Sequence, residues 1–489
     1  MTEHYFHIQF DPERTLQEQI REHLVNLILT GKLKCGSSMP STRSLSKMLK
    51  VSRNTIVLIY ESLEDSGYLT ALDRKGFVVA DLYLESPNTI SKATVNALDD
   101  STEWSTRFKK RPSFQRNIVK PNNWQSFEYP FIYGQIQHDF FPLEQWRDAS
   151  KKSMSVGWNK YWINDMVESD DPFLVEQIRT RILPRRGIYA EANEIIVTIG
   201  TQNSLFLLAS LLCSAETKVA LENPGFREAA NIFSFFDASI IKQPVDSQGI
   251  TVDQNLDGVD YVFVTPSTQV PTGVELTDRR RQELLQTAQK NDFIIIEDDY
   301  DAEINMNPEP KPALKAQDNA NRVVYLGSMS KALSPGLRMG FIVASEELVA
   351  EIRSLRRTMY RHPPVNNQRQ FGLFLSLGYY DSYLRKIREI HASKLARMVR
   401  AIEEHLPDMR TTPDVNLGAT SMWLRAPEHL NTEEVSWVAA RESILIEPGA
   451  IHFISEPQPK NYFRLGFSAI DAEKIEPGIA ALKRIFDQL

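Results

Sequence analysis

A chain of 489 residues with 42% hydrophobic content is too long for one ordinary domain and apolar enough to build more than one core. Its formal net charge of -7 excludes a globally basic coat for nucleic acid, so any contact with DNA has to come from a local patch. Only Cys35 and Cys213 are present, without a His/Cys cluster at metal spacing, and neither a leader at Met1–Tyr5 nor an apolar run near the ~20 residues of a membrane span is visible, so a soluble, cytoplasmic, metal-free protein is expected.

Apolar positions Leu16, Ile20, Leu24, Leu27 and Ile28 recur at helical spacing and predict a first amphipathic helix over residues 12–30, closing at Thr30-Gly31. Ser41 can cap a second helix, Thr42–Leu49, and Ser52 a third, Arg53–Ser66. The connection Lys50-Val51 has the length of a helix-turn-helix. Tyr68–Thr70 and Phe77–Val79, on either side of Asp73–Gly76, read as a small hairpin, a wing. Between Gly31 and Tyr60 every charged side chain is basic: Lys32, Lys34, Arg43, Lys47, Lys50 and Arg53. The third helix opens with Ser52-Arg53-Asn54-Thr55, polar side chains at the end that a recognition helix presents to the major groove, although such residues also cap helices.

From Leu84 to Glu128 periodicity is lost and Ser, Thr, Asn, Asp and Pro accumulate, as in a linker. It contains a basic run, Arg107 to Arg111 with Arg116 and Lys120, open to two readings: a solvated charge run, or an auxiliary DNA or interdomain contact. The expected division is a DNA-binding domain over 1–82, a linker over 83–128 and an effector domain over 129–489.

An α/β pattern follows. Ile195–Ile199, Val219–Leu221, Tyr261–Val264, Phe293–Ile296 and Val323–Leu326 read as strands separated by helix-sized segments, which predicts a mostly parallel sheet with helices on both faces. Helices around 370–405 and a strand at Arg464–Ser468 form a smaller C-terminal part.

Lys331 sits just past one of these strands, where open α/β sheets keep their ligands. Partial burial and neighbouring cations can turn such a lysine into the free amine that condenses with an aldehyde. Ser328 and Arg338 beside it suit a phosphate. Aldehyde plus phosphate points to pyridoxal 5'-phosphate (PLP). Upstream, Asp298 and Tyr300 end another strand, where an acid can keep a pyridine nitrogen protonated and a tyrosine can serve its phenolic oxygen; acids at strand ends also suit magnesium. Arg464 lies between apolar residues and is expensive to bury without an anion, either a ligand's carboxylate or sulfonate or a protein acid.

Residues 5–80 resemble a GntR-type winged helix, on L-x-E-Q-I-R, G-K-L-K-C-G-S-S-M-P-S-T-R-S-L-S and V-S-R-N-T-I-V-L-I-Y-E-S-L-E-D-S-G-Y-L. From about residue 130 the chain resembles a fold-type I PLP enzyme of the class I and II aminotransferase type, on E-N-P-G-F, V-P-T-G, E-D-D-Y-D and S-M-S-K-A-L-S-P-G-L-R in that family's order. The first resemblance implies contacts to a double-stranded DNA operator from Ser41, Thr42, Arg43, Ser52, Arg53, Asn54 and Thr55, and from Arg74 and Lys75 at the wing. The second implies Lys331 as the Schiff-base lysine, Asp298 as pyridinium partner and Tyr300 as donor to the phenolic oxygen. It also places Ser328, Arg338, Thr201 and Gln202 at the phosphate, Phe226 against the ring, and Arg464 at a substrate carboxylate. The chain departs from the patterns at Asp73 in the wing tip, at Val270, where transaminases carry asparagine, and at Glu168–Pro172, where a glycine-bearing segment is usual. Together the two modules resemble the MocR/GabR subfamily of GntR regulators. This implies a homodimeric, PLP-dependent regulator that senses an amino acid or related amine by exchanging an internal for an external aldimine. The alternative is a functional aminotransferase with an accessory DNA-binding domain.

Overall fold

The computed structural model describes residues 3–72, 76–81, 103–134, 136–307, 309–411, 419–454 and 456–489; Arg74 and Lys75 lie outside the described residues. Two units form, Met1–Phe108 and Lys109–Leu489. Among the described residues no helix is long and apolar enough to cross a membrane.

In the first unit, helix α1 (Leu16–Leu29) starts later than its periodicity predicts, because Thr15 caps it through Glu18 N. Gln19 also ties down the preceding turn, donating to Asp11 O and Arg14 O at 2.9 Å each. Helices α2 (Thr42–Leu49) and α3 (Arg53–Asp65) follow the expected bounds closely. Ile20, Leu24, Leu45, Ile56, Ile59 and Leu63 make a shared, fully buried core. Strands β1 (Leu69–Leu72) and β2 (Gly76–Val79) pair antiparallel from Leu69↔Val79 to Leu72↔Gly76. The result is a winged helix-turn-helix.

The second unit is built on β3 (Ile195–Thr198), helix α4 (Thr201–Leu212), β4 (Lys218–Asn223), helix α5 (Arg227–Phe235), β5 (Ser239–Asp246), β6 (Gly249–Ile250), β7 (Tyr261–Val264), β8 (Ile294–Asp299), β9 (Val323–Ser328) and β10 (Gly340–Val343). Among the described residues these strands form an eight-stranded sheet in the order β3-β10-β9-β8-β7-β4-β5-β6. The run from β9 to β5 is parallel, whereas β10 pairs antiparallel with both β9 and β3. Strand β10 escapes sequence reading because its four residues follow the Lys331 loop so closely that they merge with it. Strand β5 escapes because its polar and apolar residues mix. The central strands are buried because apolar clusters line both faces of the sheet.

A helix spans Tyr379–His405, and a smaller sheet of β11 (Ser421–Arg425), β12 (Glu447–Pro448) and β13 (Tyr462–Gly466) follows. Strand β13 begins two residues before its sequence-based start. Arg464 therefore stands mid-strand, in register with Glu447 of β12.

The chain from Lys109 to Glu128 is held by polar contacts rather than by apolar periodicity, which explains its linker-like sequence. Lys110 donates to Phe235 O and pairs with Asp237 at 2.9 Å, while Arg116 meets Gln458 and Glu433. Asn231 Nδ2 donates to Arg116 O at 2.8 Å and to Asn117 Oδ1 at 3.0 Å.

The segment at Glu168–Pro172 is a structural anchor. Asp170 meets Arg356 Nη1 at 2.7 Å and Arg353 Nη1 at 3.1 Å, and Asp171 caps the following helix and meets Arg369 Nε at 2.7 Å. Arg356 is fully buried, so removing its partner strands a charge. Asp170→Ala is expected to destabilise this unit by about 3–5 kcal/mol, read as a lowered urea midpoint.

Candidate functional site

Strand ends deliver the chemistry. Asp298 is the penultimate residue of β8, Ser328 ends β9, and Lys331 follows on the short helix Ser330–Leu333. Gly200, two residues past β3, opens α4 with no side-chain cap. They converge on a cavity of about 380 Å³ that is also lined by Thr201, Gln202, Phe226, Val270, Tyr300, Arg338 and Arg464. The sequence-predicted cofactor and effector residues are thus brought together in one place.

Lys331 Nζ lies 3.0 Å from Asp301 Oδ1, with the rings of Tyr133 and Tyr300 centred 3.8 and 3.9 Å away. Burial first, then Arg464 and Lys120, push its pKa well below the usual lysine range and favour the free amine. Burial, then Asp299 and Asp301, push the Asp298 carboxyl well above its usual range. Asp298 Oδ1 is buried and, among the described residues, lacks a hydrogen-bond partner. A pyridinium N–H would supply both the missing donor and the missing positive charge. Tyr300 already donates to Thr268 O at 2.8 Å, so serving a phenolic oxygen would require exchanging that bond.

At the other end of the cavity, Gly200 has φ +101°, and a Cβ there would lie 3.1 Å from Arg338 Nη2. The glycine lets the guanidinium approach the start of α4, where helix N–H groups and the dipole favour an anion. Ser328, Thr201 and Gln202 add polar groups around it. These residues fit PLP: Lys331 for its aldehyde, Asp298 for its ring nitrogen, and the Arg338–Gly200 cradle for its phosphate. When bound, PLP supplies a carbonyl for amines and an electron-withdrawing ring. Buried Val270 offers that ring no hydrogen bond.

Arg464 carries both of its anticipated features. Its guanidinium lines the cavity, 3.8 Å from the centroid of Tyr133, and its Nε and Nη2 meet Glu447 Oε1 at 2.6 and 2.5 Å. His452 Nε2 stands 3.0 Å from the same oxygen and His452 Nδ1 3.1 Å from Gly225 O, tying the pair to the loop that bears Phe226. Although burial opposes it, Arg464 and then His452 hold the Glu447 carboxyl down to about 2.

Sequence reasoning missed Lys120, Tyr133, Glu228 and Glu447. Lys120 was one charge in a basic run; Tyr133, Glu228 and Glu447 carry no motif and reach the site only through the fold.

In the winged helix the Ser41 and Ser52 hydroxyls cap α2 and α3, accepting from Ser44 N at 3.1 Å and Thr55 N at 3.0 Å. Arg43, Arg53 and Asn54 are exposed, and Arg53 Nε lies 3.4 Å from Thr42 Oγ1, so the starts of α2 and α3 present one polar, basic surface.

Residues 16–79 match the family described as bacterial regulatory proteins, gntR family, and residues 133–482 match aminotransferase class I and II. The chain is 35% identical to the HTH-type transcriptional regulator TauR of Rhodobacter capsulatus, over 96% of each chain. It is 28% identical to the probable rhizopine catabolism regulatory protein MocR of Rhizobium meliloti, over 97% of this chain and 94% of that one. The chain belongs to the MocR/GabR-type subfamily of GntR transcription regulators. Its second unit has the aminotransferase fold: a kynurenine aminotransferase of Pyrococcus horikoshii superposes with a TM-score of 0.71 at 24% identity, covering 78% of this chain and 98% of that one. That fold implies PLP in a MocR-type regulator.

Gly200→Ala places a methyl group against Arg338 in a backbone conformation disfavoured for alanine, at a cost on the order of 1–3 kcal/mol. PLP retention is expected to fall by about tenfold or more in equilibrium dialysis, since 1.4 kcal/mol corresponds to about tenfold. Arg53→Ala is expected to weaken operator binding by about 1–3 kcal/mol if the side chain reads a base. Wild-type affinity should fall steeply with salt. Equal affinity of Arg53→Ala and wild type across a salt series would remove α3 from the interface.

Proposed function

We propose that this regulator holds PLP on Lys331 and senses an amino acid or related amine by covalent exchange. Lys331 would hold the cofactor's aldehyde and would give it up to the effector's amine, regaining a free amine in an exchange that needs no oxidant. The observation that carries the reading is the half-buried Lys331 amine in the same cavity as Arg464, whose fork suits the anionic group of such an effector. Covalent exchange gives the effector unequal affinity for two states of the protein, which is the condition for a ligand to shift DNA engagement. In this reading Ser41, Thr42, Arg43, Ser52, Arg53, Asn54 and Thr55, with Arg74 and Lys75 of the wing, face a double-stranded operator. A cytoplasmic homodimer, with two winged helices on paired half-sites, completes it.

The Lys331, Asp298 and Arg338 set would also serve a transaminase with an accessory DNA-binding domain. The winged helix and Val270 favour the regulator.

Reconstituted wild type is expected to absorb in the visible and to fix PLP on borohydride treatment, and Lys331→Ala to do neither. Amines should change the wild-type spectrum and its operator binding together. Turnover of an amino donor with a keto acid at ordinary enzyme rates, without any effect on DNA binding, would favour the transaminase. The double variant Arg464→Met/Glu447→Gln, which removes both charges at once, should keep the visible band and lose preference for anionic amines.

A further inference from the structure

Three cations gather around one aromatic ring. Lys331 Nζ and the Arg464 guanidinium each lie 3.8 Å from the centroid of Tyr133, and Lys120 Nζ lies 5.8 Å away. Lys331 has Asp301 beside it and Arg464 has Glu447. Lys120 is different: it donates to Tyr133 O and, among the described residues, has no ion-pair partner. It also sits tightly over the chain, since a Cβ on Gly134 would lie 3.1 Å from its Nζ. With Ile118 it lines the cavity that holds Lys331 and Arg464.

A cation in a confined cavity without an ion-pair partner is costly, and the cost is relieved when an anion joins it. Arg464 alone is a poor seat for that anion, because Glu447 stays ionised and offsets its charge. Glu447 is engaged by Arg464 and His452, which leaves Lys120 as the neighbouring cation free to meet a ligand's acid. The protein acid that competes for this position is Glu228, which lines the same cavity and whose Oε2 is buried without a hydrogen-bond partner among the described residues.

We infer that Lys120 and Arg464 together seat the acidic group of an amine effector, so that the segment running back towards the winged helix is itself a wall of the effector site. This assignment rests on the amine-sensing reading. It adds a selectivity that Lys331 cannot supply: an amine carrying one carboxylate, or an acid of the same charge, is preferred over a neutral amine of the same length.

The test uses the full-length, PLP-loaded protein and two probes that differ only in the acid, β-alanine and propylamine, titrated by visible absorbance. Wild type should bind β-alanine more tightly. Lys120→Met should weaken β-alanine relative to propylamine by about tenfold or more, the loss of one charged hydrogen bond. Equal loss for both probes, no loss for either, or no wild-type preference for β-alanine would overturn the assignment. A second readout needs no amine. After burial, Arg464 and Lys120 depress Lys331 and Glu447 opposes them, with Asp301 3.0 Å from the Lys331 Nζ and Glu228 in the same cavity lining, so the pH midpoint of the visible band should rise in Lys120→Met. An unchanged midpoint overturns the placement of Lys120, whereas a raised midpoint with no spectral response of wild type to any amine sinks the sensor reading instead.

Discussion

Desolvation of Lys331 is the constraint from which the centre of the site follows. An ammonium in this cavity loses water and meets Arg464 and Lys120, so the neutral amine is the favoured form. On the acids of the same site burial acts the other way, keeping Asp298 and Asp301 protonated more readily than in water. Two unfavourable burials of opposite kind thus make one polarised site. A ligand with a basic ring nitrogen at one end and a phosphate at the other complements it.

Other buried charges near that site are paired. Arg186 meets Asp299 at 2.7 Å, Ser267 Oγ at 2.8 Å and Lys311 O at 2.8 Å, and Tyr325 OH donates to Asp299 at 3.0 Å. Close backbone approach marks the phosphate end: a Cβ on Gly340 would lie 2.9 Å from Gly327 O and 3.0 Å from Gly200 Cα. Three glycines from three neighbouring segments let the sheet come together where Arg338 must pass.

How much of this could be read from sequence depends on how far apart the partners lie along the chain. Lys331, Asp298, Ser328 and Arg338 stand at the ends of apolar strands, where periodicity locates the strand and chemistry the residue. Arg464 was legible as a buried cation, and the two anions proposed for it meet in the structure as one real acid, Glu447, and one open cavity. Tyr133, Glu447 and Lys120 were not legible, because irregular chain carries the first and last, a two-residue strand carries the second, and nothing local marks any of them. In the winged helix the same serines that read as polar contacts act as helix caps, while Arg43, Arg53 and Asn54 are exposed.

The similarity to aminotransferases begins at residue 133, yet the cavity's wall begins earlier, at Ile118 and Lys120. A sensor half cut from the chain at the homology boundary would keep Lys331 and Asp298 but lose part of its own enclosure. It would also strip Asn231 of two acceptors and leave Phe235 O without Lys110. Two different borders therefore run through this molecule, one where the likeness to aminotransferases begins and one drawn by contact. A swap of DNA-binding modules between relatives respects the binding pocket only when the crossover falls before Lys109.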